Sequence, residues 1–224
     1  MVRNYRYAIE LQKKLSSLRR RVRLPEPVRT VGGADVAFSP DGRYCVAAVV
    51  VLSFPGFEEL ERVHARMRVT FPYIPGLLSF REAPAIVAAA GKLSGQPDVM
   101  LVDGQGTAHP RRFGLACHVG VELGWPAIGC AKSRLTGTHR LPGQRKGCHC
   151  RLMDGDEVIG TVLRSREAVK CIYISEGHLT RLDQAVRLVL RCCVRYRLPE
   201  PIRSAHNFVT QLRANRKVWN QNEL

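Results

Sequence analysis

The stretch that decides the fold is VMLVDGQGTAHPRR, residues 99–112. Its apolar first half predicts a buried strand that ends on an acid, Asp103, before Gly104 and Gly106 break the strand. Because a buried strand fixes the residue at its end, a carboxylate there can hold a metal ion in a defined place. Asp-Gly is also a common turn dipeptide, so Asp103 could instead cap a tight turn. The stretch alone leaves both interpretations open.

The composition indicates a globular and strongly basic chain. Its 224 residues include 35 Lys and Arg against 19 Asp and Glu, a formal net charge of +16, and 45% of them are hydrophobic. Such a charge attracts polyanions, and nucleic acid is the first candidate. No apolar run reaches the roughly 20 residues of a membrane-spanning helix, and the polar start is unlike a secretory signal. We expect a cytoplasmic protein that does not bind membranes and acts as a monomer.

The cysteines and the domain boundaries are read from local composition. Eight cysteines lie mostly in apolar segments, which favours free thiols. Cys148-His149-Cys150 lacks the second ligand pair that a structural zinc site needs. We expect a single domain over residues 1–224, with an N-terminal helix and connector (1–29), a catalytic core (30–206) and a C-terminal tail (207–224).

Periodicity and turn signals predict an antiparallel meander followed by alternating strands and helices. An amphipathic helix should run to the first of two RLPEP segments, each expected to be an extended connector. Thr180 and Asp183 resemble a capping box for a late helix, and a short helix should carry His206. The predicted strands are 31–38, 44–54, 60–69, 98–103, 126–131, 159–164 and 169–175, with helices at 79–93 and 112–123. This order predicts an α/β fold, a ribonuclease H-like mixed β-sheet flanked by helices.

Two further acids could join Asp103. Asp35 lies mid-strand among apolar neighbours, where an unpaired carboxylate is costly, so it should be paired, protonated or bound to metal. If the strands of Asp35 and Asp103 are adjacent, both acids can bind one Mg²⁺ or Mn²⁺ ion. Glu82 opens a helix, but Ser79 and Glu82 also fit a capping box, in which the glutamate binds backbone amides.

Three other side chains have one functional and one ordinary interpretation each. Lys132 follows an apolar strand, where its ammonium could stabilise phosphate charge or simply be solvated. His206 could be a metal ligand or a general acid or base, or a helix residue without a role. Tyr73 lies between two prolines and could stack on a base or wedge into a duplex, or pack under a loop.

Taken together, the motifs resemble the endonuclease V family of deoxyinosine-directed repair nucleases. The resemblance runs from about residue 31 to residue 206. Its blocks occur in the order GGADVAF, TFPYIPGLLSFREAP, VDGQGTAHPRRFGLACH, IGCAKSRL, YISEGH and RLPEPIRSAH. It implies a nuclease that uses Mg²⁺, for which Mn²⁺ can substitute, on double- or single-stranded DNA containing deaminated bases. It also implies hydrolysis of the second phosphodiester bond 3′ to the lesion, leaving 3′-hydroxyl and 5′-phosphate ends.

The resemblance also assigns roles to individual residues. It implies that the three acids Asp35, Glu82 and Asp103 bind metal. Lys132 and His206 complete the catalytic set. Tyr73 falls on the strand-separating wedge, and His109 adjoins the pocket for the flipped base, which backbone amides around the glycines should read. The other pocket positions are Gly76, Leu78, Gly104, Gly106, Gly114 and Leu115. A nuclease of the same fold acting on inosine-containing RNA or branched nucleic acid is the alternative, and a metal-independent nucleic-acid-binding protein is another.

Overall fold

One mixed sheet of eight strands connects most of the chain. The computed structural model describes residues 2–215 and 218–219. The strands are β1 (Thr30–Phe38), β2 (Tyr44–Ser53), β3 (Glu59–Arg68), β4 (Val99–Val102), β5 (Ala127–Ala131), β6 (His149–Asp154), β7 (Glu157–Leu163) and β8 (Ile172–His178). The helices are α1 (Val2–Ser17), α2 (Ser79–Ala90), α3 (Leu115–Leu123), α4 (Leu182–Cys192) and α5 (Glu200–Ala214).

The strand order is β3-β2-β1-β4-β5-β8-β7-β6. β1, β4 and β5 run parallel to one another in the middle of the sheet. The meander β1-β2-β3 on one side and the strands β8-β7-β6 on the other are antiparallel. The predicted α/β class, with a mixed sheet and flanking helices, is confirmed.

Strand β4 is apolar throughout because both of its faces are covered. Val99 and Leu101 belong to a core that includes residues of α4 and α5. Met100 and Val102 point the other way, into a core with residues of α2 and α3. A strand buried on both faces reads as a continuous apolar run rather than an alternating one. The run in VMLV therefore predicts the central position of this strand in the sheet.

The two RLPEP segments adopt different structures. Helix α1 ends at Ser17, well before the first segment, so the predicted helix is too long. The chain then passes β8, where Arg19 and Arg21 form ion pairs with Glu176 at 3.3 and 2.8 Å. The second segment begins α5. Pro199 is the N-cap, and Pro201 lies in the first turn, where proline is tolerated. The prediction of an extended connector is wrong for this second copy.

Two further local predictions are also wrong. Strand β6 was missed because the sequence HCRLMD follows a polar, glycine-rich region and carries little apolar periodicity. The Thr180–Asp183 capping box does not form: the N-cap of α4 is Arg181, without a side-chain cap. Thr180 instead donates its hydroxyl to the Ala127 carbonyl at 3.1 Å, because it is buried against β5.

The cysteines are free thiols, as predicted. No helix within residues 2–215 and 218–219 combines the length and the apolar character needed to span a membrane.

Candidate active site

Two of the predicted acids lie on neighbouring parallel strands. Asp35 lies within β1, and Asp103 follows β4 directly. The parallel register sets Ala34 beside Val102, and the Asp103 amide donates to the Ala34 carbonyl at 3.2 Å. The adjacency of these two strands, on which the shared site depends, is confirmed.

Two basic side chains bind these acids. Lys132, which follows β5, forms an ion pair through its Nζ with Asp103 Oδ2. His206 on α5 lies 2.7 Å from Asp35 Oδ2 through its Nδ1 and forms a hydrogen bond with it. The other oxygen of Asp35 accepts the Val36 amide at 2.8 Å. Burial raises the pKa of the Asp103 carboxyl, although its bond to Lys132 opposes this shift.

Glu82 is the third acid and lies in the first turn of α2. Burial, and then the negative charges of Asp35 and Asp103, raise its pKa to about 8. Helix α2 begins after Leu78 without any side-chain cap, so the alternative interpretation of Ser79 and Glu82 as a capping box is wrong. Glu82 is therefore buried close enough to Asp35 and Asp103 for their negative charges to disfavour its ionised form.

The three acids suit a hard divalent cation, but they do not form a finished coordination site. Carboxylate oxygens are the ligands preferred by Mg²⁺ and Mn²⁺, and a cation would relieve the repulsion that raises the pKa of Glu82. Across the described ranges, no three His, Cys, Asp or Glu side chains are gathered as metal ligands. Asp103 instead binds Lys132, and Asp35 binds His206. The chemistry and charge of the three acids fit the cation. The side chains of Asp35 and Asp103 must turn away from His206 and Lys132 to bind it.

A cavity of about 120 Å³ is lined by residues that lie close in the chain to two of the acids. Gly104, next to Asp103, lines its wall, as does Ser79, three residues before Glu82 on α2. Tyr73 lines the cavity while its side chain is 68% exposed. Seven of the predicted substrate-binding residues line it: Tyr73, Gly76, Leu78, Gly104, His109, Gly114 and Leu115. The chain therefore brings a small cavity and a group of acids together through two short segments.

Gly106, one of the predicted pocket positions, packs against β8. A Cβ on Gly106 would lie 2.0 Å from the Glu176 carbonyl oxygen, so this glycine is needed for close packing against β8. Three of the amides expected to read a base already donate within the protein. Those of Gly104, Gly106 and Gly114 donate to the Val102 carbonyl, to Ser175 Oγ and to the Gly106 carbonyl, at 2.8, 2.8 and 2.9 Å.

Comparison with known proteins identifies the family. The endonuclease V family model matches residues 10–207. The chain belongs to the endonuclease V family. It is 49% identical to endonuclease V of Gloeobacter violaceus over 222 residues, which cover 97% of this chain and 89% of the relative. It is therefore a nuclease, a hydrolase of nucleic acids.

Solved endonuclease V structures share the fold. The structure from Streptomyces avermitilis is 37% identical, with a TM-score of 0.89, and the match covers 92% of each chain. The enzyme from Ciona intestinalis, as its D234N variant, is 25% identical, with a TM-score of 0.81 over 94% of this chain and 97% of that one. That protein was crystallised with a 23mer DNA containing an inosine followed by a ribo-adenosine.

The carbonyl of Gly76 holds the cavity wall of this endonuclease V together. It accepts hydrogen bonds from Gln12 Nε2 at 3.2 Å, from His109 Nε2 at 3.1 Å and from Arg111 Nη2. His109 Nδ1 accepts the Arg111 amide at 3.1 Å, so the ring is neutral with its proton on Nε2. Burial, followed by the charge of Arg111, accordingly lowers the pKa of His109 to about 4.

Sequence reasoning missed two residues of this wall. Gln12 is buried on the apolar face of α1, where it also donates to the Phe113 carbonyl at 2.8 Å. The available signal was a glutamine among the spaced apolar residues of that helix. Gln105 lines the cavity between the two glycines on which the prediction concentrated.

Proposed function

We propose that this endonuclease V acts on DNA that contains deaminated bases, chiefly deoxyinosine. It hydrolyses the second phosphodiester bond 3′ to the lesion with Mg²⁺, or Mn²⁺ in its place, and leaves 3′-hydroxyl and 5′-phosphate ends. The cleavage position and the metal rest on the family resemblance.

The observation that carries the proposal is that the acids and the cavity meet at two consecutive residues, Asp103 and Gly104. Asp103 belongs to the acid group, and Gly104 lines the cavity next to it. An enzyme that acts on a base or near it must take the nucleotide out of the stack and hold it in a pocket. A flipped base in this cavity would bring its own backbone past the acids. The inosine in the DNA bound by the Ciona relative supports this choice of base.

Asp35, Glu82 and Asp103 are the residues that would hold the cation. When bound, a divalent cation stabilises negative charge on a phosphate and lowers the pKa of water. The carboxylates supply the negative charge that attracts it, and the high pKa of Glu82 reflects its burial and then the repulsion from Asp35 and Asp103.

Lys132 and His206 flank these acids from β5 and α5. The Lys132 ammonium is fixed beside Asp103, where it can stabilise charge that develops on the phosphate during hydrolysis. His206 is oriented by Asp35, and its ring is about half exposed to solvent. It can therefore give a proton to, or take one from, a group on the substrate.

Tyr73 is suited to separating the strands beside the cavity. It is the exposed aromatic ring of FPYIPG, a segment stiffened by two prolines. An aromatic ring inserted between bases compensates for the stacking that is lost when a nucleotide is flipped out. The net charge of +16 supplies binding to phosphates without regard to sequence.

Matched 30-nucleotide substrates test the proposal. One duplex carries a single deoxyinosine, a second carries deoxyadenosine at that position, and a third strand is RNA with one inosine. We expect the protein with Mg²⁺ to cleave the deoxyinosine duplex and to leave the deoxyadenosine duplex intact. Equal cleavage of both duplexes would contradict base recognition. Preference for the RNA would favour the alternative substrate, to which the ribo-adenosine in the DNA of the Ciona complex also points.

A further inference from the structure

Arg197, the first residue of the second RLPEP segment, binds the backbone of the lysine that flanks the acids. Its Nη2 donates to the Lys132 carbonyl at 2.6 Å and to the Cys171 carbonyl at 3.3 Å. Lys132 directly follows β5, and Cys171 directly precedes β8, the neighbour of β5 in the sheet. One guanidinium therefore joins the ends of two neighbouring strands at the position of Lys132.

The backbone of Lys132 lies just beyond the sheet, so its position depends on side-chain contacts. The lysine stem is long and flexible, and this side chain is 41% exposed. Its ammonium forms an ion pair with Asp103, but Asp103 is also one of the proposed cation ligands. Two side chains hold the backbone instead: Arg197 holds the Lys132 carbonyl, and Gln105 Nε2 donates to the Ser133 carbonyl at 2.8 Å.

Arg197 is itself held in place. Its carbonyl oxygen accepts hydrogen bonds from Ser165 Oγ at 2.5 Å and from Cys193 Sγ at 3.6 Å. Both of these residues are fully buried. Because its main chain is anchored in the core, the Arg197 side chain can fix the Lys132 backbone rather than follow its movements.

We propose that Arg197 is a positioning residue for Lys132. By holding the Lys132 carbonyl, it keeps the ammonium where that group stabilises charge on the cleaved phosphate. This inference rests on the proposed function, in which Lys132 has that role. A displacement of a reacting or catalytic group by about 1 Å can cost about a hundredfold in rate. The segment of Arg197 also leads directly into α5, which carries His206, so the contact links both basic residues of the site.

A double-mutant cycle tests whether Arg197 acts through Lys132. The proteins are the wild type, Arg197→Met, Lys132→Ala and the double variant. Each is mixed in excess with the duplex that carries one deoxyinosine, in the presence of Mg²⁺. The single-turnover rate constant is measured where doubling the protein no longer raises it. Under these conditions, neither weaker DNA binding nor a partly unfolded fraction lowers the rate.

Arg164 supplies the matched control. Like Arg197, it donates from its guanidinium to backbone carbonyls, and it is 7% exposed. Its partners lie outside the proposed site and are the carbonyls of Gly143, Val169 and Pro142. Arg164→Met is made alone and together with Lys132→Ala. It therefore reports the loss of a buried arginine that does not contact the lysine.

The expected rates depend on the background. Lys132→Ala should lower the rate constant about a hundredfold, because it removes a group that stabilises developing charge. Arg197→Met should lower it about tenfold when Lys132 is present and less than about twofold in the Lys132→Ala background, where the group that it positions is gone. Arg164→Met should change the rate by the same factor in both backgrounds.

The outcomes separate this inference from the proposed function. If the wild type does not cleave the deoxyinosine duplex, the proposed function fails. If Lys132→Ala cleaves as fast as the wild type, the proposed role of Lys132 fails, and this inference with it. If Lys132 is needed but Arg197→Met keeps the wild-type rate, or slows both backgrounds by equal factors, only the inference about Arg197 is overturned. Should Arg197→Met not fold, Arg197→Gln replaces it in the cycle, since the glutamine amide ends two bonds short of the position of Nη2.

Discussion

Replacing His118 with phenylalanine should remove a loss of stability that the wild type suffers in acid. His118 on α3 is 5% exposed, and its ring lies 5.0 Å from that of Phe80 and 5.6 Å from that of Phe113. Burial lowers the pKa of His118 from 6.5 to about 4. Glu122 lies 3.7 Å from Nε2 and would favour the charged ring, but its side chain is largely exposed and burial outweighs it. A phenylalanine ring keeps the packing and cannot be protonated.

The sign and size of the effect follow from the two pKa values of His118. The unfolded chain takes up its proton near pH 6.5, whereas the folded protein does so only near pH 4. The stability contributed by the neutral ring is therefore complete above pH 6.5 and is lost as the pH falls towards 4. At about 1.4 kcal/mol per pH unit, the wild type should lose about 2 kcal/mol relative to His118→Phe by pH 5, and about 3 kcal/mol by pH 4.

Urea unfolding without divalent cations, followed by tryptophan fluorescence, measures this difference at pH 7.5, 6 and 5. The wild type and His118→Phe are compared at each pH, so that titrations common to both cancel. His149→Phe, at an exposed histidine, is the matched control and should follow the wild type. A difference between wild type and His118→Phe that stays constant within about 0.5 kcal/mol across this range would refute the reasoning.

Three other properties can be tested on the same protein. Gly106→Ala would drive a methyl group into the Glu176 carbonyl and should lower the free energy of unfolding by about 1–3 kcal/mol. Gly95→Ala, where a methyl group meets nothing within 4 Å, should change it by less than about 0.5 kcal/mol. Tyr73→Ala should leave thermal stability unchanged and reduce cleavage of duplex more than of single strands; equal reductions would argue against a wedge. Affinity for undamaged DNA, measured by fluorescence anisotropy, should fall at least about tenfold from 50 to 200 mM salt, and a flat response would contradict phosphate binding by the basic surface.

The central strands could be predicted because their sequence is dictated by burial on both faces. The run VMLV leaves no exposed face, so the strand is central, and the acid that follows it must lie at the carboxyl end of that strand. Asp35 stood out as a carboxylate among apolar neighbours. Short turns between 31 and 69 predicted the meander, because neighbouring strands joined by short connections are antiparallel. Patterns of this kind depend only on nearby residues.

The rest depended on contacts between residues far apart in the chain. Ser79 fits a capping box in sequence, but its hydroxyl is buried in the cavity wall instead of capping α2. Thr180 likewise donates to β5 because a distant strand lies against it. Gln12 contacts the loop at Gly76, 64 residues away, and no local pattern indicates such a partner. The hydrogen bonds of the glycine amides to distant groups are equally invisible in sequence.

We propose that the acids on β1, after β4 and on α2 form the centre at which nucleic acid is cleaved, at a fixed distance from a base held in the nearby cavity. An end-labelled duplex with a single deoxyinosine, incubated with Mg²⁺ and mapped at nucleotide resolution, tests it most directly. We expect one nick, at the second phosphodiester bond 3′ to the deoxyinosine, and no nick with Asp35→Ala, whose folding is checked by circular dichroism. Nicks unrelated to the position of deoxyinosine, or full activity of folded Asp35→Ala, would contradict it.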